Sequence, residues 1–451
     1  MVKRPIAAMV AAGLAVAGLV ACSPDELEAS QSSTTDGGGL SGELLFWENA
    51  GLVRLADDGT TPDVENSFLH QAAKMFEELN PGTTITIFAQ TGDLSTSAAQ
   101  FQAAVQAGNG PDMRSQFAGG PTLSYADYYA DISEYLDQAT IDSMSGWITV
   151  REGYEPDGRA VAMPYGAGLY FTVYANKKVL TEAGLDPDNP PKTWEELIAN
   201  GQVVADKTDY TPFWVADLEG YVGAWLVGGH IGGELGEGSS AAMYNGELRL
   251  DDPAIIKAYQ TWADFGASGL TNPDAGSQSN QEGGAGFVKG DVAYYINGTW
   301  QNTNILEGLG DDATWFFLPM LEGAQYPEAI GGGPSIAISI VENSDNKELA
   351  KAFLNYLAQP EIQDMYVKMS QMESSNHKDA DPSVLTNRLL REQAEELPGL
   401  GPVVFPFDSV MPQSVIDVFY RVNAGVFLGS ITPEEAVAQL QAAMEIELAD
   451  R

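Results

Sequence analysis

The apolar positions of this chain change period several times. Residues 41–49 (SGELLFWEN) hold Leu44, Leu45 and Phe46 in one apolar run, which predicts a buried first strand. In residues 66–82 (NSFLHQAAKMFEELNPG), Phe68, Leu69, Ala72, Met75, Phe76 and Leu79 fall at helical spacing, and Asn80-Pro81-Gly82 stops the helix. Residues 83–90 (TTITIFAQ) alternate with the period of a strand, and residues 94–110 (LSTSAAQFQAAVQAGNG) predict a second helix ended by Gly108-Asn109-Gly110. The rhythm resumes with a strand over 170–176 (YFTVYAN) and a helix over 193–207. Thr193 ahead of Glu195 and Glu196 is a helix start, and Thr432-Pro433-Glu434-Glu435 opens the last helix with a cap, a first-turn Pro and acidic residues. Strand, helix, strand, helix predicts an α/β sheet, and no internal repeat interrupts it. Ligands of such sheets bind beyond the carboxyl ends of the strands. Trp47, Glu48 and Asn49 after the first strand, and residues 91–93 after the second, are therefore the first positions to inspect.

The amino terminus has a different pattern. Lys3 and Arg4 precede an apolar run over 6–21, as in a secretory signal. Leu19-Val20-Ala21-Cys22 resembles a bacterial lipobox, in which the chain is cut before the Cys and the thiol carries lipid. Residues 1–21 are then the signal, the single cysteine Cys22 is the lipid anchor, and 22–42 is a flexible tether too poor in apolar side chains to order itself. A coil of this length spans roughly 25 Å, so the body is expected to sit close to the outer face of a bacterial cell membrane. No other stretch is long and apolar enough to span a bilayer.

Roughly 410 residues remain, more than one core usually supports, so two lobes are expected. Hydrophobic residues at 44% and charged residues at 19% are those of a globular protein. The charge changes the picture. Lys plus Arg number 22 against 63 Asp plus Glu, a formal net charge of −41. That balance argues against nucleic acid and disfavours strongly anionic ligands. The three histidines, His70, His230 and His377, have no metal-type spacing, and no nucleophile elbow or phosphate loop is present, so neither metal nor cofactor is expected. Residues 283–290 (GGAGFVKG) read as a turn before a helix. What remains is aromatic. Tyr125, Tyr165, Trp214, Tyr221, Trp225, Trp300 and Trp315 lie near Gly- or Pro-marked breaks. Flat rings cover the C–H faces of sugars, and carboxylates and amides bond their hydroxyls.

Several segments in order resemble the extracellular solute-binding proteins of ABC sugar importers, the family that includes maltose-binding protein. They are residues 107–113 (AGNGPDM), 157–197 (through the strand, Asn176-Lys177 and PPKTWEEL), 286–301 (GFVKGDVAYYINGTWQ) and 331–363. One departure is Ala175, where the family usually has Tyr. The resemblance implies a periplasmic-binding-protein-like (type II) α/β fold of two lobes around a central cleft, joined by three hinge crossings near Gly168, Gly333 and Met372. The amino-terminal lobe would comprise 43–168 plus 334–372, and the carboxy-terminal lobe 169–333 plus 373–451. It further implies a monomer that binds carbohydrate, closes by a hinge, and presents it to membrane permease subunits, with no enzyme activity. By the same resemblance Trp300 is the sugar-stacking tryptophan, and Trp47, Glu48, Asn49, Gln116 and Phe117 are contacts at strand ends. Asp112 is structural. Tyr165 lies at the cleft edge, and Asp217, Tyr221 and Trp225 supply acidic and aromatic contacts. Gly332 and Gly333 let backbone approach the ligand, and Glu373 and Ser374 lie at the third crossing. A neutral oligosaccharide suits the acidic field. A polyamine receptor of the same class, and a glycoside hydrolase with two carboxyls about 5–9.5 Å apart, are the alternatives.

Overall fold

The computed structural model describes residues 39–56, 60–90 and 94–450. The expected signal 1–21, the anchor Cys22, the tether as far as residue 38, and residues 91–93 lie outside the described residues. The described strands are β1 Gly42–Glu48, β2 Thr83–Ala89, β3 Met113–Phe117, β4 Met163–Tyr165, β5 Leu169–Asn176, β6 Thr211–Trp214, β7 Val292–Gly298, β8 Ala313–Phe317, β9 Ile330–Gly333, β10 Ile336–Ile340 and β11 Val403–Val404.

They form two sheets. The first has the order β2-β1-β3-β10-β4, and the second β11-β9-β5-β7-β6 with β8 also on β5. β1 runs parallel to β2 and β3, with Trp47 opposite Phe88 and Arg114, whereas β10 returns antiparallel between β3 and β4. The helix Phe68–Leu79 buries Phe68, Leu69, Ala72, Ala73 and Phe76 and exposes Met75 and Leu79, so its apolar face meets one core of the first lobe. Asp112 is structural: Oδ2 accepts the Leu45 N–H at 2.7 Å, and Oδ1 accepts from Ser344 and Asn346. In the second lobe the Thr193 hydroxyl caps the helix Trp194–Lys207 by accepting from the Glu196 N–H at 3.2 Å. At the start of the helix Pro433–Asp450 the Thr432 hydroxyl accepts the Glu435 N–H at 3.2 Å and the Glu435 carboxylate accepts the Thr432 N–H at 3.0 Å.

Two expectations are corrected. Residues 283–290 do not form a turn ahead of a helix; 283–287 complete the helix Asn280–Phe287, which a Ser279/Glu282 capping box starts upstream. The third crossing lies later than Met372. Beyond that residue the chain stays on the first lobe: Asn376 Nδ2 donates to the carbonyls of Ser145 and Pro164, and the Lys378 N–H donates to the Ser143 carbonyl. Leu385 and Leu390 pack in the first lobe's core, and Leu389 between them is the first residue in a second-lobe cluster with Tyr174 and Tyr295.

The lobes also touch away from the crossings. The short helix Gly120–Leu123, after β3, packs on the short helix Phe407–Val410. The approach is backbone to backbone, since a Cβ on Gly120 would lie 1.9 Å from the Met411 carbonyl oxygen. The Tyr154 hydroxyl donates to the Val410 carbonyl at 2.8 Å and Asn245 Nδ2 to the Gly153 carbonyl at 3.0 Å. Gly120→Ala is expected to destabilise the chain by about 2 kcal/mol through overpacking, and Tyr154→Phe by about 1 kcal/mol through one lost hydrogen bond. Urea unfolding of the two variants checks both values.

Candidate ligand-binding site between the lobes

The second lobe gathers aromatic rings beside the ends of its strands. Trp300 follows β7 directly, and its ring folds over Gly298, where a Cβ would come within 2.0 Å of it. The Trp300 ring meets Trp225 edge-on at 4.8 Å. Trp225, on the helix Tyr221–Leu235, stacks on Phe171 at 6.0 Å and on Tyr221 at 6.3 Å, and Tyr221 meets Tyr420 at 4.7 Å. Trp225 is buried, while Trp300 and Tyr221 are only partly so. Three of the expected contacts are thus brought together.

A carboxylate completes the cluster, and sequence reasoning missed it. The Tyr420 hydroxyl donates to Asp408 Oδ2 at 3.3 Å, Asp408 Oδ1 is buried without a partner in the protein, and Trp225 also lies within bonding reach of this carboxyl. Burial pushes the Asp408 carboxyl up to about 6. Asp217 lies just ahead of the helix Tyr221–Leu235: Oδ1 accepts the Gly223 N–H at 3.2 Å, and Oδ2 has no protein partner. Burial raises Asp217 to about 7. Two buried acceptors without partners, next to half-buried rings, are suited to hydroxyl or ammonium donors.

The first lobe offers a second platform. Trp47 lies against Phe88 at 5.4 Å, and Phe88, at the end of β2, is 48% exposed. Phe88 was missed because it reads as one more alternating position of a strand. Phe117 is exposed at the end of β3, and the Asn49 side-chain nitrogen is buried without a partner. The neighbouring Gln116 is buried and turned inward, its Oε1 accepting the Phe117 N–H at 2.8 Å.

Other expected contacts serve the fold in this structure. Tyr165 is not at a cleft edge; it is fully buried in the first lobe between Phe68 and Tyr366, because β4 pairs with β10 and turns the ring into that core. Glu48 is buried and accepts the N–H groups of Ala50 at 2.6 Å and Leu52 at 2.9 Å, so it shapes the loop after β1; burial raises its pKa. Gly332 and Gly333 pair with Tyr170 and Leu169 across β9 and β5, so their close approach is to the chain itself. Glu373 is 1% exposed and faces the crossings, and the Ser374 carbonyl accepts the Ala167 N–H at 2.7 Å. Of the remaining aromatics, Trp315 donates to Glu392, and Trp214 lines a separate depression with Lys289 over its ring at 5.7 Å. Among the described residues no three His, Cys, Asp or Glu side chains are placed to hold a metal ion, and no helix is long and apolar enough to cross a membrane.

Two α/β lobes, linked by three crossings and each carrying rings and unpartnered polar atoms near its strand ends, define a two-lobe solute-binding protein. Comparison with known proteins agrees: residues 61–364 match the bacterial extracellular solute-binding proteins, and the chain belongs to that family. Among curated relatives, the sn-glycerol-3-phosphate-binding periplasmic protein of Rhizobium meliloti (strain 1021) is 26% identical over 220 residues, which are 46% of this chain and 48% of that protein. The match therefore spans about half the length of that relative. Solved structures share the fold over most of the chain. A chitin oligosaccharide binding protein superposes with a TM-score of 0.77 at 21% identity, covering 91% of this chain and 99% of that one. The GacH receptor of Streptomyces glaucescens GLA.O, solved unliganded and with acarbose, gives 0.70 at 20% identity with the same coverage. Members of the family are binding proteins rather than enzymes.

The raised carboxyl of Asp217 has a pH consequence of defined sign. Its ordinary value is 3.8 and its folded value about 7, so between them the folded chain holds a proton that the unfolded chain releases. This contribution to stability is full below the ordinary value and is lost as pH rises through about 7. Melting temperatures followed from mildly acidic to alkaline pH in high salt, which screens the surface charge, are expected to fall with rising pH. Asp217→Asn is expected to flatten part of that fall.

Proposed function

We propose that this chain captures a neutral extracellular oligosaccharide, closes on it by hinge bending, and delivers it to the permease subunits of an ABC importer. In this reading it acts as a monomer held at the outer face of the membrane by lipid on Cys22, and it performs no covalent chemistry. The observation that carries the reading is the cluster of Trp225, Trp300 and Tyr221, with Asp408 beside Trp225, together with the partly exposed Trp47–Phe88 pair of the other lobe. Rings suit the apolar faces of sugar residues, and each ring covers about one residue of a chain. The unpartnered oxygens of Asp408 and Asp217 accept hydroxyl protons. Support also comes from the solved neighbours that bind a chitin oligosaccharide and acarbose.

The curated relatives bind sn-glycerol 3-phosphate, and charge separates the two ligand types. No Lys or Arg pairs with Asp408, Asp217 or Glu48 among the described residues, and the formal net charge is −41. A phosphate would meet acceptors and no neutralising cation at that cluster. A polyamine would find carboxylates there but leave the ring faces idle.

A thermal-shift screen against neutral oligosaccharides, spermidine and sn-glycerol 3-phosphate tests the reading, since a ligand of the folded state raises the melting temperature. One oligosaccharide series is expected to give the shift. Trp300→Ala is expected to weaken its binding about tenfold, or 1.4 kcal/mol, read by titration of tryptophan fluorescence. A shift with spermidine or glycerol phosphate and with no sugar overturns the assignment.

A further inference from the structure

The segments that cross between the sheets converge on one buried carboxyl group. Glu373 is 1% exposed. Its Oε2 accepts the N–H of Gly168, on the β4–β5 crossing, at 2.8 Å. Its Oε1 accepts the hydroxyl of Ser335, on the β9–β10 crossing, at 2.8 Å. The same oxygen accepts the hydroxyl of Tyr366 at 2.7 Å, from the helix Pro360–Ser370 that leads to Glu373 itself. Packing is as tight as the bonding, for a Cβ on Gly166 would lie 2.3 Å from the carboxyl. The titratable side chains that face Glu373 are Tyr165 of β4, Tyr170 of β5 and Tyr366. No Lys, Arg or His pairs with it among the described residues. The position is therefore a joint made by a carboxylate and neutral donors.

We propose that Glu373 is a positioning residue for lobe closure: its carboxylate ties the crossings into one joint, proton uptake loosens that joint, and the balance of lobe arrangements follows pH through this side chain. The proposal rests on the hinge motion of the functional reading above, but not on the identity of the ligand. Bonds to an ionised carboxylate are roughly twice as strong as neutral ones. A proton taken up on Oε1 turns that oxygen into a donor. The Ser335 and Tyr366 hydroxyls can rotate to accept, whereas the Gly168 N–H can only donate and stays on Oε2. The joint thus weakens without coming apart. Burial places the Glu373 carboxyl at about 7, within the range that an extracellular protein meets.

The test needs no ligand. Cys22→Ser removes the single native thiol, and Lys74→Cys and Lys207→Cys place one dye on an exposed helix of each lobe. Energy transfer between the dyes is followed from about pH 5 to 8, where carboxylates of ordinary pKa are already ionised for most of the range. The parent is expected to show a transition centred near 7, and Glu373→Gln to be flat. Ser335→Ala and Tyr366→Phe each remove a donor that favours the ion, so both are expected to move the transition to higher pH. A flat parent profile, or the parental transition kept in Glu373→Gln, overturns the proposal. If Glu373→Gln does not fold, an unmoved transition in Ser335→Ala overturns it equally. Failure of every sugar in the thermal screen leaves these outcomes unaffected.

Discussion

The fold depends on how closely its crossing segments pass one another. A chain that runs from one sheet to the other, back, and over again must bring several backbone strands through one narrow region. At that point a Cβ on Gly168 would lie 2.5 Å from the Gly333 carbonyl carbon, and Gly168 has a φ of +131°, so side-chain bulk is excluded on two counts. β5 and β9 then pair through Leu169 and Gly333. Both sheets are organised outward from this contact. β4 ends and β5 begins on one side of it, and β9 ends and β10 begins on the other. Glu373 supplies the acceptors that the converging donors need, and without it Gly168 N–H and two hydroxyls would lose their partner in a place water does not reach.

Charge imposes the second constraint. A chain with 63 acidic residues keeps most of them at its surface, but Glu48, Asp217 and Glu373 are buried and Asp408 partly so, and among the described residues none is paired with a cation. Each is instead bonded by neutral donors, mostly backbone N–H groups and hydroxyls. Such an arrangement holds an acid in the interior at the cost of a raised pKa. It also leaves Asp217 Oδ2 and Asp408 Oδ1 without a hydrogen-bond partner in the protein, which fits a ligand bearing its own donors.

Much of this architecture is legible in the sequence, and the part that is not has identifiable causes. Period-two and period-3.6 patterns mark β1, β2 and the helix Phe68–Leu79, because each buries a single face, whereas β5 is buried on both faces. Helix starts at Thr193 and Thr432 are legible because caps use few residue types. The Asn297-Gly298-Thr299-Trp300 segment marks the ring beside β7 because only Gly lets the indole fold back on the strand. Tyr165 and Glu373 misled, since proximity to a crossing does not say which way a side chain turns, and both turn toward Tyr366. Asp408 was invisible for another reason. It sits in residues 405–411, where two Pro-preceded fragments have no period, and its role follows only from Tyr420 and Trp225 arriving from two other helices. The late third crossing is hidden because 373–386 has the composition of a loop and is attached to the first lobe by backbone bonds, the Asn376 side chain and Leu385.

The separation of hinge and rings bears on how such a protein evolves new ligands. Trp300, Tyr221, Trp47 and Phe88 sit at strand ends or helix starts, partly exposed, with ring contacts that tolerate change of shape. Glu373 and its donors are buried, and among the described residues they make no hydrogen bond to those rings. If the rings hold the solute as proposed, substitution among them alters which solute is held and leaves the hydrogen bonds of Glu373 in place. Substitution at the joint alters the closing equilibrium for any solute, because affinity is reduced by whatever fraction of molecules is not in the competent arrangement. Interdomain contacts such as Gly120 against Met411 add a third, ligand-independent term to the same balance. On the proposed function and joint, binding strength is the product of a local fit and a global joint, set by different residues.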